Sequence, residues 1–231
     1  MERKVLKYKD FSNKKRMDAV KSDKFEGSSK KEEHLQLLNT SQKNRILLNN
    51  KIESKKPEHL GPKDRANELL KIKGFIQSIG EKQAKSDAER YDHGMTKKFK
   101  KLCGRLGVDF DTKYFSLLKE ESKVFGLREK YRWNIPRPEQ TAKLLKIPFS
   151  ERYETESSNS PSYPSNHSLQ SNLFAEILSK LYPEHRQEFF RLANLISLSR
   201  MSAGVHYMAD IKEGKRLANV LMETGKIKLP G

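Results

Sequence analysis

The sequence predicts an all-α protein: a single helical bundle of about six or seven helices, preceded by a basic, largely disordered N-terminal region. Three observations lead there. After residue 61, apolar residues recur at i, i+3, i+4 and i+7, the spacing of one helix face. No run of alternating β-branched residues occurs anywhere, and there is no internal repeat. Residues 1–60 are dominated by Lys, Ser, Asn and Glu without a long apolar period. Such a composition buries too little apolar surface to offset the entropy of ordering.

Taken in order, residues 33–50 ("EHLQLL", then "RILLNN") can supply one or two short helices within the N-terminal region. Pro57, Gly61 and Pro62 then break the chain and set the expected boundary between region 1–60 and domain 61–231. Leu69, Ile72, Ile76 and Ile79 form the first stripe of the domain. Phe99, Leu102, Cys103 and Leu106 form the next, and Tyr114, Leu117, Leu118, Val124 and Phe125 continue it. Leu173, Phe174, Ile177, Leu178 and Leu181 mark another helix, and Phe189, Leu192, Ala193 and Ile196 one more. Two irregular stretches interrupt them. "WNIPRPEQ" contains Pro136 and Pro138, which a regular helix interior excludes. "ERYETESSNSPSYPSNHS" is rich in Ser, Asn and Pro, the type of loop on which functional groups are carried.

Composition restricts function less sharply. The net charge of +17 divides into +7 for residues 1–60 and +10 for the remainder. A positive field attracts phosphate in any form, whether nucleic acid, anionic lipid or a small phosphorylated molecule. No apolar run approaches the roughly 18 residues that span a bilayer, and the first twenty residues have no apolar signal core. A cytoplasmic location is the expectation. Cys103 is the only cysteine, so no intrachain disulfide and no Cys-based zinc site is available.

The chemistry lies in three short patterns. Lys130 stands six residues before Arg137-Pro138; Pro164-Ser165-Asn166-His167 follows; then come Ser199-Arg200, five residues, His206, three residues and Asp210. In order they read K-x6-RP, PSxH and SR-x5-H-x3-D. This constellation resembles the type-2 phosphatidic-acid phosphatase superfamily, in particular its soluble branch, the bacterial class A acid phosphatases. The vanadium haloperoxidases share the same pocket. The likeness extends over about residues 130–221.

The residues support a phosphate pocket on physical grounds. Asp210 lies four positions after His206, so on a helix the two share a face and the carboxylate can take the Nδ1 hydrogen, leaving the Nε2 lone pair to attack. Arg200, six before His206, would sit about 240° away on an unbroken helix. Ser202 and Gly204 are candidates for a break that brings both into one pocket. Lys130, Arg137 and Arg200 suit the non-bridging oxygens of phosphate. Phosphoryl transfer asks a protein mainly for positioning and charge stabilisation.

The resemblance implies more. His206 would be the nucleophile that forms a phosphohistidine, and Asp210 would orient it. His167 would protonate the leaving oxygen and then activate water. Ser165 would hydrogen-bond the phosphate, and the amide at Asn166, where the family usually has glycine, would face it. It also implies an acid pH optimum. The expected activity is that of a metal-independent phosphomonoesterase without cofactor, acting on a phosphorylated small molecule. A metal bound by His206, Asp210 and His167 is disfavoured by the three cations beside them. Three alternatives stand: a vanadium-dependent haloperoxidase, a peripheral lipid-phosphate phosphatase, and a non-enzymatic basic nucleic-acid-binding protein. Residues 1–60 are expected to contact an anionic membrane surface or nucleic acid, and to be dispensable for the fold. A homo-oligomer is left open. His34, His59, His93 and His185 receive no role.

Overall fold

A computed structural model describes residues 14–25, 30–40, 47, 52–149, 155 and 158–230. Its secondary structure is helical: α1 Lys14–Ser22, α2 Lys31–Thr40, α3 Pro62–Ile79, α4 Glu81–Asp92, α5 Met95–Leu106, α6 Thr112–Trp133, α7 Pro138–Leu145, α8 Asn166–Leu181, α9 Arg186–Ser202 and α10 Met208–Glu223. The all-α expectation holds, with more helices than the stripes suggested. The additional ones are those with weak apolar signals. α4 buries only Ala84, Ala88 and Tyr91, and α7 is eight residues long and starts on Pro138, where a missing N–H costs nothing.

The helices divide the apolar side chains between two cores. Phe99 of α5, Phe115 and Phe125 of α6, Leu173 and Phe174 of α8, Phe189 and Ile196 of α9, and Leu217 and Leu221 of α10 form the first. Each side chain of this size contributes about 1.5–3 kcal/mol when fully buried. The second gathers Ala66, Leu69 and Ile72 of α3, Leu145 of α7, Ile135, Tyr163, Met201, Tyr207 and Ile211. α8 lies at the centre and packs on α6, α9 and α10. Residues 158–165 and the α9–α10 link run between the two cores, and both carry motif residues.

The composition change near residue 60 is not the edge of the packed body. Val20 of α1 is fully buried within the second core, and Leu47 in the first. Asp23 reaches Arg65 at 3.8 Å and accepts a hydrogen bond from Gln140. Residues 52–59 lie along α6 and α10, and His59 is 1% exposed. Their polar groups are matched to the body rather than to each other, which composition alone does not disclose. Removing residues 1–60 would uncover these partners, so the expectation that the region is dispensable does not extend to its described residues. Of the helices expected within 33–50, α2 occupies the first part; residues 41–46 and 48–50 lie outside the described residues. Among the described residues no helix is long and apolar enough to cross a membrane.

Candidate active site

The His206–Asp210 pair forms, but by a different route from the one expected. α10 begins at Met208, so His206 precedes the helix rather than lying on it. Asp210 is the third residue of the first turn, and its Oδ2 accepts the Tyr207 N–H at 3.0 Å, closing the helix N-terminus. The same oxygen lies 2.9 Å from His206 Nδ1 and accepts the Ser162 hydroxyl at 2.5 Å. A carboxylate accepts only, so Nδ1 carries the hydrogen and Nε2 keeps its lone pair. Arg137 Nη1 confirms this tautomer by donating to Nε2 at 3.0 Å. The break between Arg200 and His206 falls where expected. α9 ends at Ser202 and Gly204 takes φ 68, a left-handed turn that costs glycine nothing. The Val205 N–H then returns to the Arg200 carbonyl at 3.1 Å.

The three cations converge on this histidine from different elements. Lys130, near the end of α6, is 2% exposed and donates to the carbonyls of Pro161 and Ser162 at 2.7 and 2.8 Å. Arg137, just before α7, donates from Nε to the Ser160 carbonyl and from Nη1 to the Val205 carbonyl, both at 2.8 Å. Arg200, on the last turn of α9, is fully buried and pairs with Asp92 Oδ1 at 2.7 Å. Loop carbonyls thus hold two of the cations and a carboxylate holds the third.

The PSxH residues open α8. Ser165 is its N-cap, with its oxygen accepting the Ser168 N–H at 3.4 Å, and the hydroxyl hydrogen is not needed for that bond. The Ser165 N–H donates to the Asp210 carbonyl at 3.0 Å, tying α8 to α10. Asn166 turns away toward α6, where its amide donates to the Lys123 carbonyl and its side chain fills the space a Cβ at Gly126 would take. His167 Nε2 lies 3.0 Å from the Asp92 carbonyl. A carbonyl only accepts, so Nε2 carries the hydrogen and Nδ1 is the basic nitrogen.

A cavity of about 310 Å³ is lined by Lys130, Asn166, His167 and His206, with Lys119, Lys123, Lys30 and His34 among the residues farther along its wall. Arg137, Arg200 and Ser165 stand behind this lining. Burial lowers the pKa of His206 and His167 well below the usual histidine value, with Arg137 adding to it at His206 and Arg200 at His167. Both imidazoles are therefore neutral at pH 7. Burial also lowers Lys130, helped by Arg137, and brings Arg137 down to about 9. Asp210 is held below the carboxylate range: burial alone would raise it, but His206 and His59 outweigh that. No group of His, Cys, Asp or Glu suited to a metal occurs among the described residues.

The model for the PAP2 superfamily matches residues 118–221. That segment holds all three patterns. Over that segment the chain is similar to the PAP2 superfamily. Among solved structures, the fold is similar to the crystal structure of the first bacterial vanadium-dependent iodoperoxidase, with a TM-score of 0.57 and 18% identity. The match covers 71% of this chain and 49% of that one, so the chain spans about half the length of that enzyme. No significant match is found among curated proteins.

Three groups at this site escaped the sequence reading. Asp92, from outside the PAP2 segment, pairs with Arg200 and also accepts from His167. Ser162 donates to Asp210. His59, also outside the segment, comes within 3.1 Å of Asp210 Oδ1. Only for Ser162 was there a signal, its place three residues before Ser165 in the loop already singled out. Asp92 and His59 sit in sequence contexts that mark only corners of the chain.

Proposed function

We propose that the protein is a metal-independent phosphomonoesterase that works through a phosphohistidine. The observation that carries this reading is His206, held by Asp210 with its Nε2 lone pair directed at a cation-flanked cavity. The substrate phosphoryl group would take over the Arg137 contact to Nε2 and draw on Lys130, Arg137, Arg200, Ser165 and the amide at Asn166. Nε2 attacks phosphorus, the N–P bond forms and the P–O bond to the leaving alcohol breaks. The dianion raises the pKa of His167, so that Nδ1 gains a proton while the Asp92 carbonyl steadies Nε2–H. Nδ1–H then protonates the leaving oxygen. In the second half, Nδ1 takes a proton from water as the water oxygen attacks phosphorus and the N–P bond breaks, releasing inorganic phosphate. A neutral His206 needs no prior deprotonation, so burial of the ring serves the first step.

The cation set is equally suited to vanadate, an oxyanion of the vanadium on which the structurally similar iodoperoxidase depends. Lys130, Arg137 and Arg200 would hold it, and it would supply activation of peroxide for halide oxidation. The decisive experiment is a comparison of 4-nitrophenyl phosphate hydrolysis, in the presence of a chelator, with iodide and bromide oxidation by peroxide after vanadate loading. Hydrolysis is expected, with acid-labile phosphate trapped on the protein by rapid quench and both lost in His206→Ala. Halide oxidation without hydrolysis would replace this reading by the peroxidase one.

A further inference from the structure

His59 lies in a segment that the PAP2 match does not include, yet it reaches the centre of the site. Residues 52–59 run across the end of α6 and the outer side of α10. Ser54 donates from its N–H and its hydroxyl to Glu129 Oε2 at 2.8 and 2.6 Å and accepts from Trp133 Nε1 at 2.8 Å. The Ile52 carbonyl accepts from Arg128, the Lys55 N–H donates to Glu213, and the Lys55 carbonyl accepts from Tyr163. This strap delivers the His59 ring between Tyr163 and Tyr207, with ring centres 5.6 and 4.8 Å away.

The two oxygens of Asp210 are served unequally. Oδ2 meets His206, Ser162 and the Tyr207 N–H. Oδ1 is buried, makes no hydrogen bond of good geometry, and has His59 Nε2 at 3.1 Å, off the line of such a bond. Neither nitrogen of the buried His59 has a better partner. A buried carboxylate oxygen without a polar neighbour bears its desolvation cost uncompensated. Without His59 the carboxylate could also turn, releasing the Nδ1 hydrogen that defines the His206 tautomer.

We propose that His59 is a positioning residue of this site, acting through Asp210 on His206, and that residues 52–59 are the strap that holds it there. The proposal rests on the phosphoryl-transfer reading above. Loss of His59 leaves Asp210 a stronger base toward His206, so the pKa of His206 rises and the acid limb of the rate moves to higher pH.

The test measures kcat, KM and the pH dependence of 4-nitrophenyl phosphate hydrolysis for the full chain and its His59→Phe, His59→Asn and His59→Gln variants. His206→Ala serves as the control. Glutamine can place an N–H where Nε2 stands, whereas asparagine places one nearer Nδ1. Phe and Asn variants are expected to lose about 10- to 100-fold in kcat with KM within about twofold, and to shift the acid limb upward; His59→Gln should retain most of both. Wild-type kcat and acid limb in Phe or Asn, with His206→Ala inactive, would overturn the role of His59 and leave the reaction reading intact. Equal loss in Gln and Asn would reduce His59 to packing and also overturn it. If the Phe variant does not fold, the Gln–Asn contrast alone decides. Full hydrolysis by His206→Ala would overturn the phosphoryl-transfer reading itself.

Discussion

At the scale of single residues, the chemistry turns on which nitrogen carries a hydrogen and which cation faces it. Arg137 touches His206 directly and Arg200 is buried behind the same wall. Arg137→Ala and Arg200→Ala should each lose about 2–4 kcal/mol of transition-state stabilisation, the range for removing one preorganised donor. Vanadate, which can adopt the pentacoordinate geometry, should inhibit the parent strongly and both variants weakly; undiminished inhibition in both would remove them from the pocket. These residues were legible because three spaced patterns had to coincide. The His206–Asp210 contact was legible as a pair but not as a geometry. Four residues apart, the two were read as neighbours on one helix, whereas Asp210 closes the helix start and His206 stands before it. Asp92 and His59 were not legible, since a contact made across more than a hundred residues leaves no local spacing to read.

At the scale of helices, strong apolar stripes were readable and weak ones were not, as α4 and α7 illustrate. Asn166 belongs to this scale. Its side chain lies against α6 at Gly126, whose missing side chain makes the room. The two helices meet there because Gly126 leaves the space that the Asn166 side chain fills. Gly126→Ala should therefore destabilise the protein by about 1–3 kcal/mol through overpacking. Asn166→Gly should relieve most of that loss, and the double variant should depart from the sum of the single ones. Chemical unfolding of the four proteins measures it; strict additivity would mean that the two positions are not coupled.

For the whole molecule, the same burial that would suit the histidines to the proposed chemistry makes the fold sensitive to acid. His206 and His167 have native pKa values well below the unfolded value near 6.5. Below that pH the unfolded chain binds protons that the native one refuses, so stability falls as pH is lowered. The expected slope is on the order of 1–3 kcal/mol per pH unit while both rings stay neutral in the native state. Asp210 adds to the same trend only at lower pH: its native pKa is depressed as well, so its contribution persists through this window and fades only below the ordinary carboxylate value. Urea unfolding at pH 7.5 and 5.5 measures the difference, and a flat response would show that the rings are not held neutral. A bound phosphate, which favours charged His167, should lessen the fall.

The pairing of Arg200 with Asp92 gives the site the character of an ion exchanger. Its innermost guanidinium already has a resident counter-ion on a fixed tether, at the corner where α4 turns into α5. In the phosphoryl-transfer reading an arriving phosphate competes with that carboxylate for the guanidinium, and when product forms the carboxylate is at hand to return. Such competition would weaken the hold on substrate and product alike. Inorganic phosphate would then be shed rather than retained, and a strongly basic protein would work among abundant anions without being silenced by them.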